Sequence, residues 1–301
     1  MKPDAADNGP CKNYDLALIG QVCRDINYDY QSPVRYEPGG AVYYAGFAVS
    51  RIGRQVAVIT KGDQTAEELS DVFRGSGADI YPIRSPRSTS IENTYLTESR
   101  ERRTCRVVSR IHPYATEELP EVRAKVYYLA GLMRGDYGMD VLDWACARGD
   151  VALDIQSLLR CETDGRLETK LWPDYKQWLS RVKYFKADAA EAEVLTGLTH
   201  VYAAAKEISA MGPSEIMITH SGGLLVLSEG KIHRQPFTSA NLTGRTGRGD
   251  TAFSMYIAER LYHSAEAATR FCAAGVSMKM EHPGPSAATR ADVEKRLSAG
   301  T

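Results

Sequence analysis

The stretch Asn241–Phe253 reads NLTGRTGRGDTAF and carries the most specific pattern in the sequence. Its glycines at 244, 247 and 249 fall within six residues, and a helical run with apolar residues such as Ala252 and Ile257 follows. A glycine-rich turn that leads into a helix exposes backbone N–H groups at the positive end of the helix dipole. Anions, and phosphate above all, bind at such ends. The stretch therefore predicts an anion site at the start of a helix.

Asp250 falls in the first turn of that predicted helix, and the residues leave two interpretations open. In the first, its carboxylate accepts a proton from an attacking hydroxyl group. In the second, it does no more than cap the first helical amides, as Asp often does. The spacing of the glycines differs from that of a Walker-type phosphate loop, so the stretch is not one of those.

The composition describes an ordinary globular protein. Of the 301 residues, 43% are apolar and 25% are charged, and the net charge is −1. A sizeable core is therefore expected, and no basic excess predicts binding to nucleic acid. The six cysteines are scattered without a C-x-x-C pair, which favours a reducing, cytoplasmic compartment. No apolar run approaches the length of a membrane span.

Short apolar runs alternate with helical segments along the chain. Tyr14–Gly20 reads as a buried strand, Gly40–Gly53 as a helix and Val56–Thr60 as the next strand. Such alternation predicts a three-layer α/β sandwich whose mostly parallel central sheet is covered on both faces. The further predicted strands are Asp79–Ile83, Val126–Ala130, Val151–Ile155, Tyr184–Lys186 and Ile216–Thr219, and the further helices are Glu67–Arg74, Asp250–Tyr262, Ala265–Met280 and Ala291–Ser298.

Two stretches, 25–38 and 91–108, break this rhythm. They contain alternating, β-prone segments without a helix between them, and they read as antiparallel ribbons. We therefore predict a small β lid over a cleft of the α/β domain. The expected organisation is a single domain over residues 14–301 that includes the lid, preceded by a flexible tail over residues 1–13.

Six segments together resemble the ribokinase-like family of carbohydrate and nucleoside kinases, also called the PfkB family. Thr246–Phe253 is similar to the family signature T-G-A-G-D-x-F, and Lys186–Gly197 to its K-x-N-x-x-E-x-E-x-L-T-G motif. The other similar segments, in the family's order, are Gly20–Asp25, Pro38–Gly53, the turn from Thr219 and Met280–Pro285. One such segment is weak evidence, whereas six in the same order are strong.

The resemblance implies the ribokinase-like fold and an ATP-dependent kinase that phosphorylates a hydroxyl of a small sugar or cyclitol. Asp250 would be the general base, and the backbone amides of Gly247, Arg248 and Gly249 would form the anion hole. The residues that would bind the acceptor are Asp25, Asn27, Gly39, Gly40, Tyr44 and Gln156.

On the donor side the resemblance implies ATP with Mg²⁺. Asp188 and Glu191 lie three residues apart and share a helix face; Glu191 would hold Mg²⁺ through water, as Mg²⁺ takes few direct protein ligands. The alternative is a pair of solvated helix carboxylates. The residues that would lie at the nucleotide are Thr219, Ser221, Gly223 and, near the adenine, Ala274.

Several positions depart from the family pattern. Arg248 stands in the place of an Ala, Asp188 in the place of an Asn, and Gly244 in the place of an Asp. The turn Thr219–Gly223 is one residue shorter than in the family. We expect Arg248 either to contact a phosphate or an acidic acceptor or to turn toward solvent. Tyr44 occupies the position of an Asn that binds sugar hydroxyls, which speaks against a ribose or fructose acceptor.

Three functions stay open. A sugar or cyclitol kinase is favoured by Asp154–Gln156, whose D-I-Q pattern resembles that of inositol kinases. A nucleoside kinase is favoured by Tyr44, whose ring could stack on a base. A ligand-binding or regulatory homologue without catalysis is favoured by Arg248 and by the altered nucleotide turn. The resemblance also leaves open a homodimer formed edge to edge through the lid.

Overall fold

The computed structural model of the chain describes residues 12–97 and 103–300. Most of the predicted tail, residues 1–11, lies outside this part, and so do residues 98–102 of the second predicted lid segment. Asn13, which the sequence assigned to the tail, already belongs to the first strand of the main sheet. No helix in the described residues is long and apolar enough to cross a membrane.

Strands and α-helices alternate through most of this part. The strands are β1 (Asn13–Ile19), β2 (Cys23–Tyr28), β3 (Arg35–Gly39), β4 (Val56–Gly62), β5 (Asp79–Arg84), β6 (Ser90–Tyr95), β7 (Arg103–Ser109), β8 (Arg123–Leu129), β9 (Asp150–Asp154), β10 (Arg160–Thr163), β11 (Arg166–Thr169), β12 (Tyr184–Asp188), β13 (Glu215–His220), β14 (Gly223–Ser228) and β15 (Lys231–Pro236). The helices are α1 (Ala41–Arg51), α2 (Ala66–Val72), α3 (Met139–Cys146), α4 (Gln156–Leu159), α5 (Tyr175–Leu179), α6 (Ala189–Thr196), α7 (Val201–Ala210), α8 (Arg248–Arg260), α9 (Ala265–Met280) and α10 (Arg290–Ser298).

The main sheet has nine strands in the order β15-β14-β13-β12-β9-β8-β1-β4-β5. Neighbours are parallel from β13 to β5, and only the β13-β14-β15 edge is antiparallel. Successive residues of β1 point to two different cores. Leu16 and Leu18 pack with α1, α8 and α9, whereas Ala17 and Ile19 pack with α3 and α7. A parallel sheet covered on both faces needs such unbroken apolar strands, and the predicted three-layer α/β fold is confirmed.

A second sheet of six strands, in the order β10-β11-β7-β6-β2-β3, forms the lid. Both predicted ribbons are antiparallel, β2 with β3 and β6 with β7, and the two ribbons join through β2 and β6, which run parallel. Strands separated by this much sequence can pair in either direction, whereas a ribbon closed by a tight turn must be antiparallel. The lid also includes the hairpin β10–β11, which lies outside both predicted segments. The lid as part of a single domain, and its role in a dimer, stay predictions.

The carboxyl ends of the central parallel strands meet at one edge of the main sheet. Asp154 ends β9, Asp188 ends β12 and Thr219 is paired with Asp188 from β13. Strand β2 of the lid starts soon after the end of β1 at the same edge. Ligands of α/β proteins bind outside this edge, so the fold directs attention to the space between these strand ends and the lid.

Candidate active site

The glycine-rich stretch forms a turn that opens helix α8. Gly247 is the residue before the helix and has φ 77° and ψ 11°, values that glycine adopts without strain and that fit the third position of a type II turn. The N–H of Arg248 closes this turn on the carbonyl of Arg245 at 3.3 Å. By contrast, the N–H groups of Gly247, Gly249 and Asp250 donate to no acceptor among the described residues. The Arg248 amide, which was expected in the anion hole, is thus already engaged in the turn. Three unpaired amides at a helix start, that of Asp250 among them, offer the kind of anion site that the sequence predicts.

Close packing on both sides of the turn explains why residues 247 and 249 are glycines. A Cβ at Gly247 would lie 2.2 Å from ring atoms of Tyr44, and a Cβ at Gly249 would lie 3.0 Å from Cε of Lys186. The turn is therefore held between an aromatic ring and a lysine side chain. Its amides have a fixed direction, which a site that stabilises developing charge requires.

Asp250 does not cap the helix. The cap position is Gly247, and the Asp250 side chain accepts no hydrogen bond from the described residues. Burial raises the pKa of the Asp250 carboxyl, and Glu191 adds to the rise, while Lys186 and Arg160 oppose it. The capping interpretation is thus wrong, and the carboxylate is free to accept a proton. A carboxyl with a raised pKa is the better general base near neutral pH.

Lys186 and Asp154 form a buried ion pair beneath this turn, and sequence reasoning assigned no role to Lys186. The Lys186 ammonium donates to Asp154 at 2.8 Å and lies 3.9 Å from Glu191. Burial alone would lower the pKa of Lys186, but the carboxylates of Asp154, Glu191 and Asp250 outweigh it and raise that pKa. The sequence did contain a signal for this pair, because each of two apolar strands carries a charged residue, Asp154 in β9 and Lys186 in β12.

Asp188 and Glu191 form a capping box at the start of α6. The N–H of Glu191 donates to Asp188 Oδ1 and the N–H of Asp188 donates to Glu191 Oε2, both at 2.8 Å. The other carboxylate oxygen of Glu191 lies 4.0 Å from Arg160. The interpretation as two solvated helix carboxylates is wrong for Glu191, which is buried. Within residues 12–97 and 103–300 no three His, Cys, Asp or Glu side chains are grouped to hold a metal ion directly.

The predicted nucleotide residues come together but are largely covered by the chain itself. Thr219 and Gly223 are buried at the ends of β13 and β14, and Ala274 is buried in α9. Ser221 lies exposed in the tight turn between these two strands. The N–H of Phe237 bonds the carbonyl of Gly222 at 3.0 Å, which ties the next segment over this turn.

Arg248 is half-buried and faces this same turn. Its guanidinium lies 5.6 Å from the centre of the Phe237 ring. Burial lowers the pKa of Arg248, and the neighbouring Arg245 lowers it further. The pKa of His220 is also lowered, by burial and by the charges of Arg248 and Arg234. Positive charge therefore accumulates beside the anion site, whereas a contact of Arg248 with phosphate stays a prediction.

Among the residues predicted to bind the acceptor, Asp25 of β2 lies against Gly39 of β3, next to Gly40. A Cβ at Gly39 would lie 2.2 Å from Asp25 Oδ2, so only glycine leaves room for this carboxylate. Gly40 has φ 95°, and a Cβ there would lie 2.4 Å from the Gln21 carbonyl. Burial raises the pKa of Asp25, while Arg103 and Arg160 oppose the rise. Arg160, which sequence reasoning missed, therefore lies near Asp25 as well as Asp250 and Glu191.

Tyr44 lies near the carboxylates of both Asp25 and Asp250. Its ring is buried, and both carboxylates, after burial itself, raise the pKa of its hydroxyl. Because one side of this ring packs on Gly247, Tyr44 joins the lid side of the cleft to the anion site. The residues predicted to bind the acceptor and the predicted anion site thus meet at Tyr44.

Two other predicted acceptor residues have different surroundings. Asn27 is buried within the lid, where it donates to Glu37 at 3.0 Å and accepts from Asn93 at 3.1 Å. Gln156 opens α4, and its side-chain amide makes no hydrogen bond with the described residues. Gln156 is only 7% exposed, so its side chain does not face open water. Its amide is available for a polar acceptor group.

A free carboxylate, three unpaired amides at a helix start and a lid beside them are the parts that a small-molecule kinase requires. The chain belongs to the pfkB family of carbohydrate kinases, because the family's sequence model matches residues 13–291. A comparison with curated protein sequences gave no match.

Solved structures extend this finding. A pyrophosphate-dependent kinase of the ribokinase family, complexed with a pyrophosphate analog and myo-inositol, is 31% identical, with a TM-score of 0.83 over 93% of this chain and 99% of that one. A pyrophosphate-dependent myo-inositol-1 kinase converted into a myo-inositol-3 kinase is 29% identical, with a TM-score of 0.83 over 94% and 99%. The ribokinase of Arabidopsis thaliana with ribose and ATP shares the fold at 15% identity, with a TM-score of 0.75 over 95% and 99%.

Proposed function

We propose that the enzyme transfers a phosphoryl group from pyrophosphate to a hydroxyl of a cyclitol of the myo-inositol type. The acceptor hydroxyl loses its proton to Asp250, its oxygen forms the new bond to phosphorus, and orthophosphate leaves. The N–H groups of Gly247 and Gly249 stabilise the charge on the transferring group. The observation that carries this proposal is the free Asp250 carboxylate beside three unpaired amides at the start of α8.

The acceptor assignment is supported by the polar groups of the cleft. Asp25 on the lid, Asp250 at the anion site and the unpaired amide of Gln156 can each bond a hydroxyl. A cyclitol presents hydroxyls around its whole ring, so several such groups can be satisfied at once. The relative with myo-inositol bound supports the same acceptor class. The nucleoside alternative has less support, because the buried Tyr44 ring already packs on Gly247.

The donor assignment is supported by charge and by space. Arg248 and Arg245 place positive charge beside the amides, which suits the compact charge of pyrophosphate. Ala274, expected near the adenine, and Gly223, expected at the nucleotide, are already buried by the chain. Two structures described as pyrophosphate-dependent kinases are 31% and 30% identical to this chain. ATP, which the sequence led us to expect, is the alternative donor.

Magnesium fits this site as an ion held mainly by water and by the donor's phosphates. The capping box leaves Asp188 and Glu191 one carboxylate oxygen each outside it, and Mg²⁺ commonly takes one or two carboxylates at such sites. Bound Mg²⁺ would neutralise charge on the donor. Glu191 would hold the ion through water, because Lys186 and Arg160 already offset its charge.

The test is a phosphorylation screen that varies donor and acceptor independently. Purified protein with Mg²⁺ is given pyrophosphate or ATP and, in turn, myo-inositol, hexoses and ribonucleosides, and the products are followed by phosphorus NMR. We expect a cyclitol monophosphate and orthophosphate from pyrophosphate. Turnover of a nucleoside but of no cyclitol would establish the nucleoside kinase instead. Tight binding of a polyol without turnover under any condition would support the homologue without catalysis.

A further inference from the structure

Lys279, in the last turn of α9, reaches across to the turn that forms the anion site. Its ammonium donates to the carbonyl of Gly244 at 2.5 Å and to the carbonyl of Thr246. It also lies 5.3 Å from the centre of the Tyr44 ring. Two backbone carbonyls and an aromatic face thus surround one buried positive charge.

This charge has no carboxylate partner within 4.0 Å in the described part of the chain. Lys279 is only 3% exposed. Burial lowers its pKa to about 8, and Asp250 opposes that effect. A buried cation that has only carbonyl partners is costly to the fold, so stability alone does not account for a lysine here.

The rest of the contact between α9 and this loop ends before the anion site. The N–H of Gly244 bonds the carbonyl of Met280 at 2.8 Å, and the hydroxyl of Thr243 bonds the carbonyl of Glu281 at 2.9 Å. Beyond Gly244, Lys279 donates to the carbonyl of Thr246. Lys279 therefore extends the contact to the residue directly before Gly247.

The Thr246 carbonyl and the Gly247 N–H belong to the same peptide unit. In a trans peptide these two groups point in opposite directions within one plane, and the described chain contains no cis peptide bond. By holding the Thr246 carbonyl toward the interior, Lys279 directs the Gly247 N–H to the other side, where it is unpaired. The amide that Lys279 orients is the first of the anion site.

We propose that Lys279 is a positioning residue that acts as a tethered monovalent cation for the anion site; the inference rests on the proposed phosphoryl transfer. Its ammonium takes the place that a free potassium or ammonium ion would otherwise fill, since backbone carbonyls are the ligands with which proteins replace the hydration shell of K⁺. The enzyme then needs no free monovalent cation to hold its anion site in the active geometry.

The experiment compares Lys279→Ala, Lys279→Met and the wild type in sodium, potassium and ammonium chloride at equal ionic strength. We expect the wild type to respond equally to the three salts. Both variants lose kcat by about 100-fold, because a displaced catalytic group typically costs that much, while KM for the acceptor stays close to the wild-type value. Potassium or ammonium, but not sodium, restores kcat in Lys279→Ala, which has an empty carbonyl site. Lys279→Met, whose side chain fills the space, is not restored.

A matched control and a measurement without substrate keep the inference testable. Lys61 is equally buried and also donates to a carbonyl, that of Pro113 at 2.8 Å, but it pairs with Glu118 as well. Lys61→Met therefore sets an upper limit on the general cost of losing a buried lysine. Amide hydrogen exchange over residues 244–250 should be faster in Lys279→Met than in Lys61→Met or the wild type. Unchanged exchange, or a kcat loss in Lys279→Ala that potassium and ammonium leave uncorrected, overturns the inference. If the wild type phosphorylates no acceptor, the proposed function fails, and hydrogen exchange alone decides the role of Lys279.

Discussion

Lys186 of β12 and Asp154 of β9 are direct neighbours in adjacent parallel strands, and their side chains form an ion pair of 2.8 Å. Both side chains are almost completely buried. The pair lies at the carboxyl edge of the sheet, directly under Gly249. A fixed positive charge at this point offsets three carboxylates, those of the buried Asp154 and Glu191 and of the partly buried Asp250. It allows three carboxylates to lie close together at this edge of the sheet.

Replacing Lys186 with Met should destabilise the fold by about 3–5 kcal/mol, because it leaves buried carboxylates without their cation. The free energy of unfolding in urea at neutral pH measures this loss. Lys183 and Asp150 offer a matched control at the other end of the same two strands. They form a pair of 2.7 Å with side chains 41% and 45% exposed. Lys183→Met should cost about 0–1 kcal/mol, as exposed pairs do; equal losses for the two variants would contradict the argument.

Asp250→Asn should lower kcat by about 1,000-fold, within the range that general base catalysis contributes. The variant should be at least as stable as the wild type at neutral pH, because burial in the fold disfavours the charged carboxylate. Turnover and thermal unfolding are the two measurements. Asp140 is an exposed acidic residue in the first turn of α3 and serves as the control. Asp140→Asn should leave kcat unchanged, and a similar loss in both variants would show a general effect of helix charge.

The pH dependence of the reaction follows from the direction of the Asp250 shift. Burial raises the pKa of Asp250, and a base works only when it is deprotonated. As the pH is lowered, kcat/KM should therefore begin to fall at a higher pH than it would with an Asp of ordinary pKa. The folded chain also binds this proton more tightly than the unfolded chain does. Stability from this group is therefore present at low pH and is lost as the pH rises through the folded pKa. Asp250→Asn should remove that part of the pH dependence in unfolding measurements.

The sequence predicted the parts of the site that lie within single short segments. The anion turn and Asp250 follow one another in the chain, and Asp188 and Glu191 share one helix turn, so spacing alone brings them together. The sequence did not predict the contacts of Lys186, Arg160 and Lys279. Their partners come from distant segments, and the partners of Lys279 are backbone carbonyls, which every residue carries. Side-chain identity therefore gave no indication of them.

Two hairpins outside the predicted elements had a local signal. β10–β11 turns at Asp164-Gly165 and β14–β15 at Glu229-Gly230, and in each turn both residues have positive φ values. Such pairs form the type I′ turns that suit the twist of a two-residue hairpin. The parallel pairing of β2 with β6 is different, because it depends on tertiary packing and no turn specifies it.

Gly247→Ala should destabilise the fold and also lower kcat. Two effects combine there: a positive φ of 77°, and a Cβ that would lie 2.2 Å from the Tyr44 ring. The substitution Gly53→Ala separates the two effects. Gly53 has a φ of 79°, but a Cβ added there would have no atom within 4 Å. Gly53→Ala should cost about 1–2 kcal/mol, the strain of the left-handed backbone alone. A loss in Gly247→Ala no larger than this, with unchanged turnover, would mean that the turn can move away from Tyr44 without harm to the site.

Arg248→Ala should raise KM for pyrophosphate by about tenfold or more and leave KM for the cyclitol unchanged. A charge-assisted hydrogen bond to phosphate contributes roughly 1.5–3 kcal/mol, which corresponds to such a factor. Initial rates with each substrate varied in turn measure the two constants. Arg270, on the exposed face of α9, is the control for the loss of one positive charge at a distance. If Arg270→Ala raises KM for pyrophosphate equally, the effect is one of net charge. If Arg248→Ala alters neither constant, its guanidinium rests on Phe237 without contacting the donor.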